Sequence, residues 1–359
     1  MMNETNQIDL TENFMKSDSW DDFFGEIKDQ YIGYNEILIK GVKLGDPLRI
    51  NGKLLTGKQI NVRFSDCHFK STVNSTENKT LNLIFDNGCT FKDEVAILTR
   101  NQAGISIQDC EFFKKLSIHS LSSTGDRNLN DILLKDSKFH AGIIFGDGEY
   151  DGFIILENSK FYQKLPDFRY SRFSRNLNLN SFYCDEKTII NKFLESPDYD
   201  TPELARDLKL RCAQSNDHDR ELDFFAIESR TRAVLKKGYY KFVSDLYSLF
   251  SDYGRSISKP LIGILIIFGL LLVINCGTAL STKQPKGKYV GHAFFVSVND
   301  SLPFPLAFNK DSIKASNQVI FENEYPPMSY QYVRLFLVSI NLVLWFCFLL
   351  SIRNFLKLK

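Results

Sequence analysis

The sequence lacks the features that mark an enzyme or a nucleic-acid-binding protein. Its 5 histidines are scattered, and it contains no nucleophile elbow, no glycine-rich phosphate loop and no metal triad. With 44 basic and 43 acidic residues, the formal net charge is +1, which gives no reason to expect nucleic acid as a partner. We therefore expect no enzymatic activity, no cofactor, no metal site and no nucleic-acid ligand.

The cysteines also lack the spacing of a disulfide framework. There are 7 of them, an odd number, and none belongs to a CxxC pair. Isolated cysteines of this kind fit reduced thiols in the cytosol. Residues 1–14, MMNETNQIDLTENF, are polar and contain no apolar stretch of the kind found in a secretory signal. We therefore expect the N-terminal part of the chain to stay in the cytoplasm.

Long apolar runs are confined to the C-terminal part of the sequence. Residues 261–280 and residues 335–352 contain no charged side chain. At about 1.5 Å of rise per residue, such runs match a hydrocarbon core about 30 Å thick. A pair of buried core helices is the alternative, but two uncharged runs of this length favour two transmembrane helices.

Basic residues flank the outer sides of both runs. Those before the first run are Arg230, Arg232, Lys236, Lys237, Lys241, Arg255 and Lys259. Those after the second run are Arg353, Lys357 and Lys359. The positive-inside rule then predicts a multi-pass protein of the inner membrane with both termini in the cytoplasm. Between the runs, Lys283, Lys286 and Lys288 weaken this bias without reversing it.

Phenylalanine, present in 31 copies, marks a repeat in the N-terminal half. The repeated unit is a short apolar strand, then Asp or Asn, then Cys or Ser, one variable residue, and Phe. The units end at Phe69, Phe91, Phe112, Phe139, Phe161 and Phe173. The intervals between them are similar, except for a longer one before Phe139 and a shorter one before Phe173. A period of about 22 residues with Asp or Asn turns is typical of one coil of a parallel β-solenoid.

The small and large residues of the repeat are expected to point inward and to stack from coil to coil. The predicted core ladder consists of Cys67, Phe69, Cys89, Phe91, Cys110, Phe112, Phe139 and Phe161. Buried free cysteine behaves as a small apolar side chain, so this role is favoured over metal binding. His68 and His140 neighbour the ladder and are expected at the surface.

A helical connector should follow the solenoid. Residues 203–214 and 220–237 have helical patterns that suggest a hairpin of two helices. Residues 238–254 form an amphipathic pattern whose apolar face is rich in aromatic side chains. A core helix would show the same spacing, but the position just before an apolar run favours a helix lying in the membrane interface.

Several stretches resemble those of bacterial pentapeptide-repeat-like proteins that end in a two-span, ion-channel-like membrane domain. They are LKLRCAQSNDHDRELDFFAIESRTRAVLKKG, SDYGRSISKPL, FFVSVNDSLPF and the ending SIRNFLKLK, and they lie within residues 203–359. The five-residue repeat of that family is blurred here into a much longer coil. The resemblance implies a membrane protein with a cytosolic right-handed β-helix, and it implies no particular ion or ligand.

The segment between the apolar runs is the candidate pore. Residues 291–308, GHAFFVSVNDSLPFPLAF, suggest a short helix followed by a break, which would suit a re-entrant half-helix. The polar residues near the break are Ser297, Asn299, Asp300 and Ser301. A ring of Asp300 carboxylates from several subunits would favour cations. An extracytoplasmic loop with an apolar patch explains the same residues; the resemblance favours the pore.

Two spans from one chain cannot enclose a conduit, so a pore requires a homo-oligomer, and a tetramer is preferred by analogy with other two-span channels. Asn275 and Asn341 are the polar residues within the spans, and helix–helix hydrogen bonding is their expected role ahead of pore lining.

Together these features predict a β-solenoid of the right-handed, pentapeptide-repeat-like kind, a helical connector and two transmembrane helices. The predicted divisions are an N-terminal cap (1–59), a cytosolic β-helix (60–200), a connector (201–258) and a membrane domain (259–359). The first functional hypothesis is an oligomeric inner-membrane channel or pore-forming effector, gated when the β-helix senses a ligand or protein partner, in bacterial stress or anti-phage defence. The alternative is a non-conducting, membrane-anchored scaffold whose β-helix binds a partner protein.

Overall fold

The chain divides into two compact units, Met1–Asp217 and His218–Lys359. The computed structural model describes residues 7–17, 19–27, 36–51, 60–78, 81–99, 104–120, 131–173, 177–236, 238–280, 289–302, 310–321 and 327–357. The loop lysines at 283, 286 and 288, together with Lys237 and Lys359, lie outside these ranges.

The first unit consists mainly of short strands. In chain order they are β1 (Gln7–Asp9), β2 (Glu36–Lys40), β3 (Lys43–Leu44), β4 (Leu48–Asn51), β5 (Ile60–Ser65), β6 (His68–Phe69), β7 (Val73–Asn78), β8 (Leu81–Asp86), β9 (Thr90–Phe91), β10 (Val95–Thr99), β11 (Ile105–Gln108), β12 (Glu111–Phe112), β13 (Leu116–Ser120), β14 (Ile132–Lys135), β15 (Lys138–Phe139), β16 (Ile143–Phe145), β17 (Gly148–Tyr150), β18 (Ile154–Phe161), β19 (Ser171–Phe173) and β20 (Leu177–Cys184).

These strands wind into a parallel β-solenoid of about 5 turns, which confirms the predicted fold class. Each turn contributes a long strand, a two-residue strand and a second long strand. The first long strands pair in the order β2-β5-β8-β11-β14-β18, the short strands in the order β3-β6-β9-β12-β15-β18, and the remaining long strands in the order β4-β7-β10-β13-β16. The register matches residues one turn apart, as Phe69 does with Phe91 and Phe91 with the core Phe of the next turn.

An Asp or Asn in the left-handed backbone region forms the corner between the first long strand and the short strand. These residues have φ between 51° and 53° and are Asp66, Asn87, Asp109, Asp136 and Asn158. Asn and Asp tolerate this conformation better than other non-glycine residues because their short polar side chains bond locally. The Asp or Asn of the repeat therefore sets the direction of the chain at each corner.

The core phenylalanines stack along the solenoid axis. The ring centroids of Phe69 and Phe91 are 4.7 Å apart, those of Phe91 and Phe112 4.4 Å, and those of Phe112 and Phe139 5.1 Å. Phe161 continues the stack at 5.0 Å from Phe139. All five rings are buried, and their planes lie within 14° of parallel.

The cysteines form the second, parallel ladder. Cys67, Cys89 and Cys110 are buried at the corners, and Ser137 and Ser159 take the same place in later turns. The backbone N–H of Cys67 donates to Cys89 Sγ at 3.4 Å, so the ladder is also hydrogen-bonded between turns. The hydrogen bond with Cys110, together with burial, raises the pKa of Cys89 to about 12. The pKa of Cys67 is raised as well, so the thiols of Cys67 and Cys89 are packing groups with no reactive thiolate at neutral pH.

The stacked strands begin before residue 60, where the phenylalanine repeat suggested a start. β2, β3 and β4 pair with β5, β6 and β7, and they complete a turn without the motif. Gly41 has φ 68° at the corner, Val42 is buried where later turns have Cys or Ser, and Leu44 pairs with Phe69. The first turn follows the same geometry with different residues, because Gly adopts positive φ without steric cost.

The assignment of Phe173 to the repeat is wrong. Phe173 lies in β19, which pairs with β17 in a separate sheet, and its ring contacts Tyr150 and Phe168. The register position that follows Phe161 is occupied by Cys184 of β20. The short interval before Phe173 thus belongs to a segment that leaves the stacked strands and pairs with β17.

Helices flank the solenoid within the first unit. They are α1 (Thr11–Lys16), α2 (Trp20–Ile27), α3 (Glu186–Glu195) and α4 (Asp200–Gln214). Phe14 and Trp20 pack against Phe64 of the second turn, and Phe23 packs against Phe14. α1 and α2 therefore bring aromatic side chains onto the early turns of the solenoid.

The second unit is helical. Its helices are α5 (His218–Lys236), α6 (Tyr239–Ser251), α7 (Ser258–Leu280), α8 (Tyr289–Ser301), α9 (Lys310–Phe321) and α10 (Met328–Lys357). α7 and α10 are long and apolar enough to cross a membrane, as predicted. Only 22% and 28% of their most apolar windows are buried within the chain, so these helices expose most of their apolar surface.

Candidate functional site

α7 and α10 pack side by side in opposite directions. Ile264, Ile267 and Leu271 of α7 share an apolar cluster with Leu337 and Leu344 of α10. Near the other end of α7, the hydroxyl of Tyr330 donates to the side-chain oxygen of Asn275 at 2.6 Å. Early residues of α7 thus meet late residues of α10, as two consecutive membrane spans require.

α8 enters beside these two helices and ends midway along α10. The carbonyl oxygen of Ser301, its last residue, accepts hydrogen bonds from Asn341 Nδ2 at 2.6 Å and from Trp345 Nε1 at 2.7 Å. At a rise of about 1.5 Å per residue, Asn341 lies about 20 Å from the start of α10 and about 24 Å from its end. The end of α8 therefore lies beside the middle of α10. Residues 303–309, which include most of the predicted break, lie outside the described residues.

α9 returns toward the end at which α8 begins. His292 on α8 lies 3.1 Å from the hydroxyl of Ser316 on α9. Ile320, one residue before the end of α9, shares a buried cluster with Tyr289 at the start of α8 and Ala279 at the end of α7. α8 and α9 thus form a hairpin that enters and leaves the helical unit at one end.

Both asparagines of the apolar runs make hydrogen bonds between helices. Asn275 Nδ2 donates to Ser297 Oγ at 2.9 Å, while Tyr330 donates to the oxygen of the same amide. Asn341 binds the carbonyl of Ser301. One asparagine therefore fixes the middle of α8, and the other fixes its C-terminal end.

Asp300 forms an ion pair within the same chain. Arg334 Nη2 donates to Asp300 Oδ1 at 2.5 Å. The Asp300 side chain is 2% exposed and that of Arg334 27% exposed. The pair changes the expectation drawn from the sequence, which treated Asp300 as an isolated carboxylate. In this conformation the two charges compensate each other.

Three oxygen atoms near the end of α8 lack hydrogen-bond donors. Within the ranges that the structure describes, Asn299 Oδ1, Asp300 Oδ2 and Asn341 Oδ1 are buried and accept no hydrogen bond. Buried polar atoms are nearly always paired, so such oxygens point to an ion, a water molecule or a neighbouring chain. The C-terminal end of a helix also carries a partial negative charge, which favours a cation.

The remaining predicted site residues belong to the core of the solenoid. Among the described residues, no group of three or more His, Cys, Asp or Glu side chains is placed to hold a metal ion. Sequence reasoning missed Tyr330, Arg334 and Trp345 as partners of the α8 segment. The hints in the sequence were the single acid between residues 291 and 308 and the arginine immediately before the second apolar run.

A separate groove of about 1030 Å³ lies on the solenoid, between α1–α2 and the strands β4, β7 and β10. Its polar lining includes Lys43, Arg49, Asn74 and His119. The His119 ring lies against the backbone at Gly146, where any Cβ would clash with it.

Comparison with protein-family models, with curated proteins and with solved structures finds no match for this chain. Its function must therefore be inferred from the geometry described above.

Proposed function

We propose that this chain is one subunit of an oligomeric cation channel of the bacterial inner membrane, gated through its solenoid. α7 and α10 are the two spans, and α8 with α9 is the re-entrant hairpin that lines the pore. By passing ions, such a channel would depolarise the cell in a stress or anti-phage response.

The supporting observation is the set of unpartnered oxygens at the end of α8. Asn299, Asp300 and Asn341 offer acceptors midway along the spans, where hydrocarbon provides no donors. Polar groups at that depth are costly unless they line water, contact protein or serve function. A pore shared by several subunits would give these oxygens water and cations as partners.

Two spans per chain require several chains around one axis, and we prefer a tetramer. In the present conformation Arg334 neutralises Asp300, so a ring of carboxylates would act only after this pair separates. We therefore assign the paired conformation to the closed state. Separation of the pair would expose the carboxylate to the pore and strengthen cation attraction.

The solenoid is the proposed sensor. Its groove is large enough for a small molecule, since ligand sites are about 300–1,000 Å³. Its lining carries Lys43 and Arg49 together with Asp21 and Asp46, which would suit a polar ligand with groups of both signs, and a protein partner is the other trigger that fits the proposal.

The test measures reversal potential across a KCl gradient in planar bilayers. Wild type should prefer cations. Asp300→Asn removes the carboxylate and leaves Arg334 unpaired, so it should shift selectivity toward anions. Arg334→Gln should shift selectivity further toward cations, and the double variant, which has neither charge, should lie between the two single variants. The matched control is Asp219→Asn, which removes an equal charge from an exposed position on α5.

Identical reversal potentials in all five proteins would remove the α8 segment from the pore. A monomer in detergent, or a wild type that conducts nothing under any tested condition, would instead favour the membrane-anchored scaffold.

A further inference from the structure

α6 carries an apolar face that its own unit leaves uncovered. Tyr239, Phe242 and Leu249 are 76%, 60% and 67% exposed. On a helix with about 100° per residue they lie on the same side as Val243. The opposite side carries Lys241, Ser244, Asp245 and Ser248. Large exposed aromatic and aliphatic side chains on one face mark an interaction surface.

The C-terminal end of α6 is fixed to the ends of α7 and α10. Phe250 packs against the apolar cluster between these two helices. Asn354, in the last turn of α10, donates to the carbonyl of Gly254 at 3.4 Å. Gly254 has φ 83°, and a Cβ there would lie 2.6 Å from the Asn354 amide, so this turn requires glycine. α6 is thus held where its apolar face continues the exposed apolar surface of the spans.

Three cations at the same end are exposed and uncompensated. Lys241 on α6, Lys259 at the start of α7 and Arg353 near the end of α10 form no ion pair within the described chain. In contrast, Arg230 and Arg255 are both held by carboxylates. Lys241 lies on α6 itself, and the other two cations lie near the ends of α7 and α10 to which α6 is fixed.

We propose that α6 lies in the plane of the cytoplasmic membrane surface and binds anionic phospholipid. Its apolar face would sit below the headgroups, and the three free cations would contact lipid phosphates. The aromatic side chains suit this interface because they have apolar bodies, and Tyr also has a polar tip. This inference rests on membrane insertion of α7 and α10 and is independent of conduction.

Hydrogen exchange of the full chain in lipid nanodiscs tests the proposal. The amides of residues 239–251 are compared in phosphatidylcholine and in phosphatidylcholine with added phosphatidylglycerol. Each cation near an anionic surface is worth about 1 kcal/mol, or about fivefold. We therefore expect anionic lipid to slow exchange in α6 by roughly a hundredfold, and the Lys241→Gln/Lys259→Gln/Arg353→Gln variant to lose this dependence.

Lys314→Gln, which removes an exposed cation from α9, is the matched control and should retain the full lipid effect. A second variant, Phe242→Ser/Leu249→Ser, should lose α6 protection in both lipids while α7 keeps wild-type exchange. Equal protection of wild-type α6 in the two bilayers would overturn the anionic-lipid assignment. Rapid exchange of α6 in both would show that its apolar face binds something other than lipid, and would overturn the interfacial placement itself.

Discussion

Two adjacent phenylalanines give the sharpest test of the solenoid core. Phe112 is buried and stacks between Phe91 at 4.4 Å and Phe139 at 5.1 Å. Its neighbour Phe113 points outward, is only partly buried, stacks on His140 at 4.9 Å and lies under the Lys92 ammonium. The same Phe→Ala substitution at positions 112 and 113 therefore compares the loss of a core side chain with the loss of a surface side chain of identical chemistry.

Phe112→Ala should lower the free energy of unfolding by about 3–5 kcal/mol, the usual range for Phe→Ala in a core. The upper half of that range is expected because two aromatic stacks, each worth about 0.5–1.5 kcal/mol, are lost as well. Phe113→Ala removes one exposed stack and one cation–π contact, and it should cost about 1–2 kcal/mol.

The assay is urea unfolding of residues 1–217, followed by circular dichroism, with hydrogen exchange to locate the opened turns. Coils contact only their neighbours, so the loss in Phe112→Ala should be greatest in the turns of β9, β12 and β15. Equal losses at the two positions would contradict an inward ladder, and a helical spectrum for the fragment would contradict the solenoid.

Three further predictions concern other features. Asp109→Val places a β-branched residue at φ 52° and should lower the free energy of unfolding by about 1–2 kcal/mol in the same assay. Asp109→Gly should lower it less, and the reverse order would contradict the role of the left-handed backbone at this corner. Because the pKa of Cys89 is about 12, roughly one thiol in ten thousand is ionised at pH 8. Iodoacetamide should therefore modify Cys89 only after unfolding, and rapid modification of the native protein would show an accessible thiolate. A reporter fused after Lys359 should lie in the cytoplasm and a tag beside Lys286 outside it, and finding both on one side would mean that α7 or α10 does not span.

The solenoid was predictable wherever the corner chemistry repeated. The spacing of Phe69, Phe91 and Phe112 identified the coil, because a stacked turn returns each side chain to the same position. The first turn was not predicted because Gly41, Val42 and Leu44 occupy the corner and core positions of the repeat without matching its residue types. Phe173 was wrongly assigned for the opposite reason. The residues before it match the repeated motif, but its strand pairs outside the stacked sheets.

The helical unit was predictable in its apolar runs but not in its polar contacts. Hydropathy alone identified α7 and α10, because crossing hydrocarbon restricts composition strongly. The pairing of Asp300 with Arg334 and the binding of Ser301 by Trp345 depend on how far α8 descends beside α10. These partners are 34 and 44 residues apart, and no periodic pattern in the sequence indicates that they meet.

The turn-by-turn register of the solenoid has a consequence for how the chain is made. Thr90 pairs with His68 of the preceding turn, and the stacked strands that follow likewise each pair with a strand one turn back. Each newly synthesised turn can therefore pair at once with the preceding turn, which has already been made. Folding can advance in the direction of translation, and the short sequence separation of the contacts favours speed over the slow search usual for parallel sheets. The solenoid can thus be assembled before α7 and α10 are synthesised, so that few of its apolar strands remain exposed when the membrane helices emerge.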